Sequence, residues 1–285
     1  MSGNHVHRVA GLLCLGVISL VHGAGCDALN LAPLATATST VAETFATGSA
    51  PVIVVETFNG SIDISDGKDS EVVVEVTKRA SAFDNQAAEA ALVDIEVSLI
   101  QKDNTIHVTA RHGNRMSGNR GASVVIAAPK SARLELKSSN GSVVCEGLQG
   151  GIKSTTSNAK IEIVESLGTI DVVTSNGRIE IEAADAVVDA HTSNGPIKFS
   201  GSLADDDQQF KTSNGPIAIA LPADSQFKFD GSTSNAGISS QFPLAAEPYK
   251  CRTRVMGVVG EDPACSITAA TSNAPIQLRK ARAAD

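Results

Sequence analysis

Eight copies of one tripeptide recur along this chain, and four successive ones are set 18 residues apart. Each reads Ser-Asn-Gly or Ser-Asn-Ala, except the first, where Phe58 stands in place of the serine. The asparagines are Asn59, Asn140, Asn158, Asn176, Asn194, Asn214, Asn235 and Asn273, and the spacings from Asn140 onward are 18, 18, 18, 20, 21 and 38. A fixed period of this size marks a stacked repeat architecture, in which each unit buries its apolar face against its neighbours.

Aligning the copies on their asparagines shows what each unit is. Three residues on stand Ile62, Val143, Ile161, Ile179, Ile197, Ile217, Ile238 and Ile276. Five residues on stand Ile64, Cys145, Ile163, Ile181, Phe199, Ile219, Ser240 and Leu278. Between them the residues are mostly polar, which is the period of a half-buried strand. Six residues before the asparagine stand Leu134, Ile152, Ile170, Val188, Gln208, Phe229 and Ile267. Each unit therefore holds two short strands joined by the asparagine bend. Gln208 breaks its column, and the two-residue insertion near Asp205–Asp207 explains the break.

A hairpin meander and a solenoid both fit two strands per unit. Type I′ hairpin turns need positive φ at both central residues. Ala159, Ala236 and Ala274 replace the glycine in three copies, and alanine there costs about 1 kcal/mol or more. A solenoid corner asks only the asparagine to enter the left-handed region. The reading is an all-β, single-stranded parallel β-solenoid, a right-handed β-helix with 18–21-residue repeats over residues 131–285. Stacked Thr-Ser-Asn columns would hydrogen-bond along its axis. Residues 51–130 form a looser β section with one short helix, Asn85–Val93.

The N-terminus reads as an export signal over residues 1–25. Val9 to Val21 is an apolar run too short for a permanent membrane span. Gly23-Ala24-Gly25 then precedes Cys26 in the manner of a bacterial lipobox, so Cys26 is the expected lipidation site and residues 26–50 the expected flexible tether. The protein is expected in the bacterial cell envelope, held to a membrane by that lipid. The net charge of −8, one unit more negative once Arg8 leaves, disfavours nucleic acid as a partner. With no Trp and one Tyr, Tyr249, the chain lacks the aromatic platforms that usually stack on sugars. In an oxidising compartment Cys251 and Cys265 are expected to form a disulfide.

The order "FNGSIDISDG", a charged strand with a short helix, "NTIHVTA", then "VVIAAPKSARLELKSSNGSVVCEGLQGGIKSTTSNAKIEI" and further "TSNG" units resembles the bacterial putative-adhesin family. It is also similar to the head domain of candidate autotransporter adhesins. The resemblance covers roughly residues 50–285. It implies a β-solenoid and an envelope location, and it carries over no catalytic residue.

The candidate binding residues fall in two places. The stretch between Asn235 and Asn273 takes 38 residues where 18 suffice. Its excursion, at about 241–266, holds Tyr249 and Lys250 just before Cys251, and Arg252 and Arg254 between Cys251 and Cys265, and long loops on rigid scaffolds often carry function. The competing role is an edge cover for the last rungs. Residues 111–121 are basic and glycine-rich, and Arg111, Arg115 and Arg120 would suit an anionic ligand if they converged. Glu162 and Glu180 should stack one rung apart, the one carboxylate pair that a polysaccharide-cleaving β-helix enzyme would use. Asp205-Asp206-Asp207 lacks the pattern of a calcium loop, and the histidines lack metal-ligand spacing. Cys145 lies in an inward column as a small hydrophobe. The expectation is a display or adhesin-like module without catalytic residues, cofactor or metal. Its partner would be an envelope protein or surface glycan. A polysaccharide lyase or hydrolase and a self-assembling scaffold are the alternatives.

Overall fold

A computed structural model describes residues 34–113, 119–246, 253–261 and 263–281. The first section contains β1 (Ala35–Ala46), β2 (Val52–Thr57), β3 (Ile62–Asp66), β4 (Glu71–Ala82), α1 (Asn85–Val93), β5 (Ile95–Lys102), β6 (Thr105–His112) and β7 (Asn119–Ala128). The regular repeats follow as β8 (Arg133–Ser138), β9 (Val143–Glu146), β10 (Ile152–Thr155), β11 (Ile161–Thr174), β12 (Ile179–Thr192), β13 (Ile197–Leu203), β14 (Asp207–Lys211) and β15 (Ile217–Leu221). The last section contains β16 (Phe227–Ser232), β17 (Ile238–Ser240), β18 (Ala245–Ala246), β19 (Arg254–Val259), β20 (Ser266–Ala270) and β21 (Ile276–Lys280). All these strands join one continuous sheet.

The sheet is wound into two facing walls, one on either side of the asparagine bend. The wall after the bend runs in space β1, β4, β7, β3, β9, β11, β12, β13, β15, β21, β17. The wall before it runs β5, β6, β2, β8, β10, β11, β12, β14, β20, β16, β19, β18. The long strands β11 and β12 serve both walls. They turn the far corner at Glu165 and Asp185, which both take positive φ. Pairing between rungs is parallel, and the isoleucine column stands in register from Ile62 through Val143 to Ile276 and Ile238. The side chains of both walls meet in one core, with Ile53, Ile62, Leu134, Ile161, Phe199 and Phe210 fully buried.

Four features depart from the sequence reading. Parallel rungs are flanked by antiparallel strands, β5, β4 and β1 over both walls at one end, and β19 and β18 over the wall before the bend at the other, where the wall after the bend ends in the short parallel strand β17. These cap edges that would otherwise expose a full row of unpaired backbone groups.

Residues 35–46, expected within the tether, form β1. Its alternate residues Ala37 and Phe45 are buried, and α1 packs beside it against β4. Their Ala/Thr composition hid the strand because small side chains show little hydrophobic period.

The rungs are not stacked in chain order. The last repeat, β20 and β21, lies between β14/β15 and β16/β17. The first repeat, β2 and β3, likewise lies inside β6 and β7. Each chain-terminal repeat thereby has both edges hydrogen-bonded, and a rung from deeper in the sequence takes the outer place.

The asparagines are not left-handed. Positive φ among described non-glycine residues occurs only at Ala50, Asp103, Glu165 and Asp185. The motif glycines avoid positive φ as well, and serve close approach instead. A Cβ on Gly195 would lie 1.7 Å from the Gly177 carbonyl oxygen of the neighbouring rung.

Candidate functional site

The asparagine column is a continuous ladder. Each Nδ2 donates to the Oδ1 of its neighbour at 2.6–2.7 Å, in the order Asn140 to Asn59, Asn158 to Asn140, Asn176 to Asn158, Asn194 to Asn176, Asn214 to Asn194, Asn273 to Asn214 and Asn235 to Asn273. Asn59 closes one end by donating to the Arg120 carbonyl at 3.0 Å.

Behind this exposed ladder runs a buried one. Thr57, Ser138, Thr156, Thr174, Thr192, Thr212, Thr271 and Thr233 each donate a hydroxyl to a carbonyl of the adjoining rung. Several also accept the N–H of their own motif glycine, as Thr192 does from Gly195 at 3.3 Å. These columns satisfy the backbone of the corner, so both ladders are structural.

Gln208, the break in the apolar column, is explained in the same terms. Its Oε1 accepts the Val188 N–H at 2.7 Å, and its Nε2 donates to the Ala204 and Asp206 carbonyls. The buried amide replaces backbone bonds that the insertion displaces.

The excursion behaves in its described part as an edge cover. β19 lies antiparallel along the outer edge of β16. Arg254 grips Asp230 with two nitrogens, at 2.9 and 3.2 Å. Tyr249, Lys250, Cys251 and Arg252 lie outside the described residues, as do Cys26 and Arg115. Cys265 is a buried thiol. Burial, then the nearby Asp205, Asp207 and Asp206, push it up to about 11. The expected bond to Cys251 involves a residue outside this description. Two of the three aspartates are engaged locally, Asp206 accepting the Asp207 N–H and Asp207 accepting the Ser266 hydroxyl. Among the described residues no group of three His, Cys, Asp or Glu side chains is placed to hold a metal ion.

The expected arginine cluster is not assembled by its described members. Arg120 is buried and ion-paired with Asp94, which ties β7 to the end of α1. Arg111 reaches Glu56 at 3.4 Å. A guanidinium buried against a carboxylate is withdrawn from any external anion. Glu162 and Glu180 do stand opposite each other in register. Each also has a cation two residues away, Lys160 at 2.6 Å and Arg178 at 3.9 Å. Cys145 is fully buried, and burial, with a smaller contribution from Asp63, raises its pKa far out of the reactive range.

One feature escaped the sequence reading. A cleft of about 540 Å³ opens on the outer face of the wall before the bend, lined by Arg133, Glu135, Gly151, Lys153, Thr169 and Asp171 among others. It exists because Gly151 stands between Arg133 and Thr169 in an outward column. Positive φ there, +94°, also favours glycine. Lys153 and Asp171 pair across its floor at 2.7 Å. The signal was the Gly150-Gly151 doublet, which reads equally well as a turn.

Stacked rungs, two polar ladders and one shared core define an all-β, solenoid-like repeat domain. The chain belongs to the Toastrack DUF4097 family, whose model matches residues 54–278. Two solved structures are similar to it. One is a candidate cell adhesion protein from Clostridium sporogenes, with 10% identity, a TM-score of 0.34, and coverage of 85% of this chain and 100% of that one. The other is a candidate adhesin from Bacteroides fragilis, with 11% identity, a TM-score of 0.42, and coverage of 85% and 97%. No curated protein matches.

Proposed function

We propose that this chain is a non-catalytic display module of the bacterial envelope, tethered to a membrane through Cys26 and binding an envelope protein or surface glycan in an adhesin-like way. The observation that supports the reading is the division of labour among its polar residues. The polar groups of the asparagine corner are taken up by the two ladders, and the inward Gln208 is held by backbone partners of its own. The outward Glu162 and Glu180 are each matched by a local cation. What the rod offers a partner is therefore its regular outward columns and the excursion at 241–266. We take the coil to be right-handed, as crossovers between parallel strands nearly always are.

The test is crosslinking in living cells of the native organism, followed by identification of what is captured. A Tyr249→Ala/Lys250→Ala/Arg252→Ala variant is run beside the native form. A protein or glycan captured by the native form and lost in the variant supports display through the excursion. Unchanged capture moves the site to the rungs. Recovery of this chain alone replaces display with a self-assembling scaffold. Turnover of a polysaccharide that disappears in Glu162→Gln or Glu180→Gln replaces it with an enzyme.

A further inference from the structure

We infer that the N-terminal cap is the face of this domain that rests on the lipid bilayer, with Leu34 and Phe83 inserted among the headgroups. The inference rests on the Cys26 tether of the proposed function and deepens it.

Its first support is chain length. Because β1 begins at Ala35, only residues 27–33 separate Cys26 from Leu34. Seven residues span at most about 25 Å when fully extended. A lipid at Cys26 would therefore hold this end of the domain within one tether length of the membrane surface.

The second support is what stands there. Leu34 is 63% exposed and Phe83 is 78% exposed. Ala35 and Ala82 form the last pair between β1 and β4, so Leu34 and Phe83 are the first residues beyond the paired ends of the two strands. Val93, 80% exposed, ends α1, the helix that packs against β1 and β4. Large apolar side chains grouped on a surface mark a contact with something less polar than water. The tether brings one such surface, the bilayer interface, to this spot at high effective concentration. Asp84 beside Phe83 is occupied as the helix cap, accepting the Ala87 N–H at 2.7 Å. The net charge of −8 favours zwitterionic over anionic lipid.

The arrangement also orients the rod. β17, ten strand steps from β1 along its wall, is held about 48 Å farther out at ~4.8 Å per step. The excursion lies at that outer end.

The chain has no tryptophan, so a single one placed by mutation is a clean reporter. The processed chain beginning at Cys26 is ligated to a thioester-bearing lipid, which reacts selectively with an N-terminal cysteine, in phosphatidylcholine vesicles containing dibrominated lipid. This linkage stands whether or not cells acylate Cys26. Phe83→Trp emission is expected to fall about twofold on bromination. Val173→Trp, at a mid-rod outer position 39% exposed, should stay unchanged. Equal emission of Phe83→Trp with and without bromine on vesicle-bound protein would overturn the inference. So would a blue-shifted, unquenched Phe83→Trp that sediments as a dimer, since the occupant would then be a second copy. Acylation is read separately, by incorporation of labelled fatty acid in cells and its loss in Cys26→Ser. Failure there removes the natural anchor and with it the reason to expect lipid beneath this cap.

Discussion

Thr192→Val isolates the buried ladder, because valine keeps the β-branched shape and removes only the hydroxyl. In the native chain that hydroxyl donates to the Gly177 carbonyl at 3.1 Å and accepts the Gly195 N–H at 3.3 Å. Thr192 is buried, so water does not readily replace either partner. Stranding a buried polar group costs about 1–3 kcal/mol. Two stranded groups, less a small gain from the added methyl, give an expected loss of roughly 2–4 kcal/mol. Thr192→Ser is the control. Serine already fills this column at Ser138, where it donates to Gly60 and accepts from Gly141. It should cost only about 1 kcal/mol for a lost methyl. The assay is urea unfolding followed by far-UV circular dichroism, with a test for intermediates, since stacked repeats can lose two-state behaviour. Amide exchange at Gly195 should accelerate in the valine variant alone. If Thr192→Val proves as stable as Thr192→Ser, the ladder contributes shape rather than hydrogen bonding and the reasoning fails.

Asn176→Ala removes two ladder bonds at an exposed corner and should cost less than the valine change, about 0.5–1.5 kcal/mol by the same unfolding assay. Gln208→Leu leaves the Val188 N–H without its 2.7 Å acceptor, and a loss of about 2–3 kcal/mol should appear as a lower melting temperature. Arg120→Met removes one half of a buried pair with Asp94; it should destabilise by about 3–5 kcal/mol, and Asp94→Asn/Arg120→Met should recover part of that in a double-mutant cycle. Under reducing conditions the Cys265 thiol, raised in the fold from an ordinary 9.0 to about 11, stays protonated while the unfolded chain ionises. Its contribution to stability is therefore complete below pH 9.0 and lost as the pH rises toward 11. Urea titrations across that window should show the decline, and Cys265→Ala should flatten it.

Much of this protein was legible one residue at a time. The in-register isoleucines, the Asn85–Val93 helix and the buried Cys145 follow from period and residue type, because inward and outward positions alternate whatever lies next door. Gln208 was visible as a break in a column beside an insertion, and its backbone partners emerged only in the fold. Other properties were decided only in three dimensions. β1 has almost no periodic signal, since alanine and threonine suit a strand edge and a tether equally. Arg120 looked like a surface cation until Asp94 was placed beside it. The Gly150-Gly151 doublet became a cleft because its outward neighbours in adjoining rungs carry side chains. Above all, the repeats are nearly interchangeable, so their pattern determined that rungs stack and left open the order in which they do. That order came from the chain ends, where placing β2/β3 and β20/β21 inside the stack satisfies both of their edges and leaves the outer positions to β6, β7 and β16, which antiparallel strands close, and to the three-residue β17.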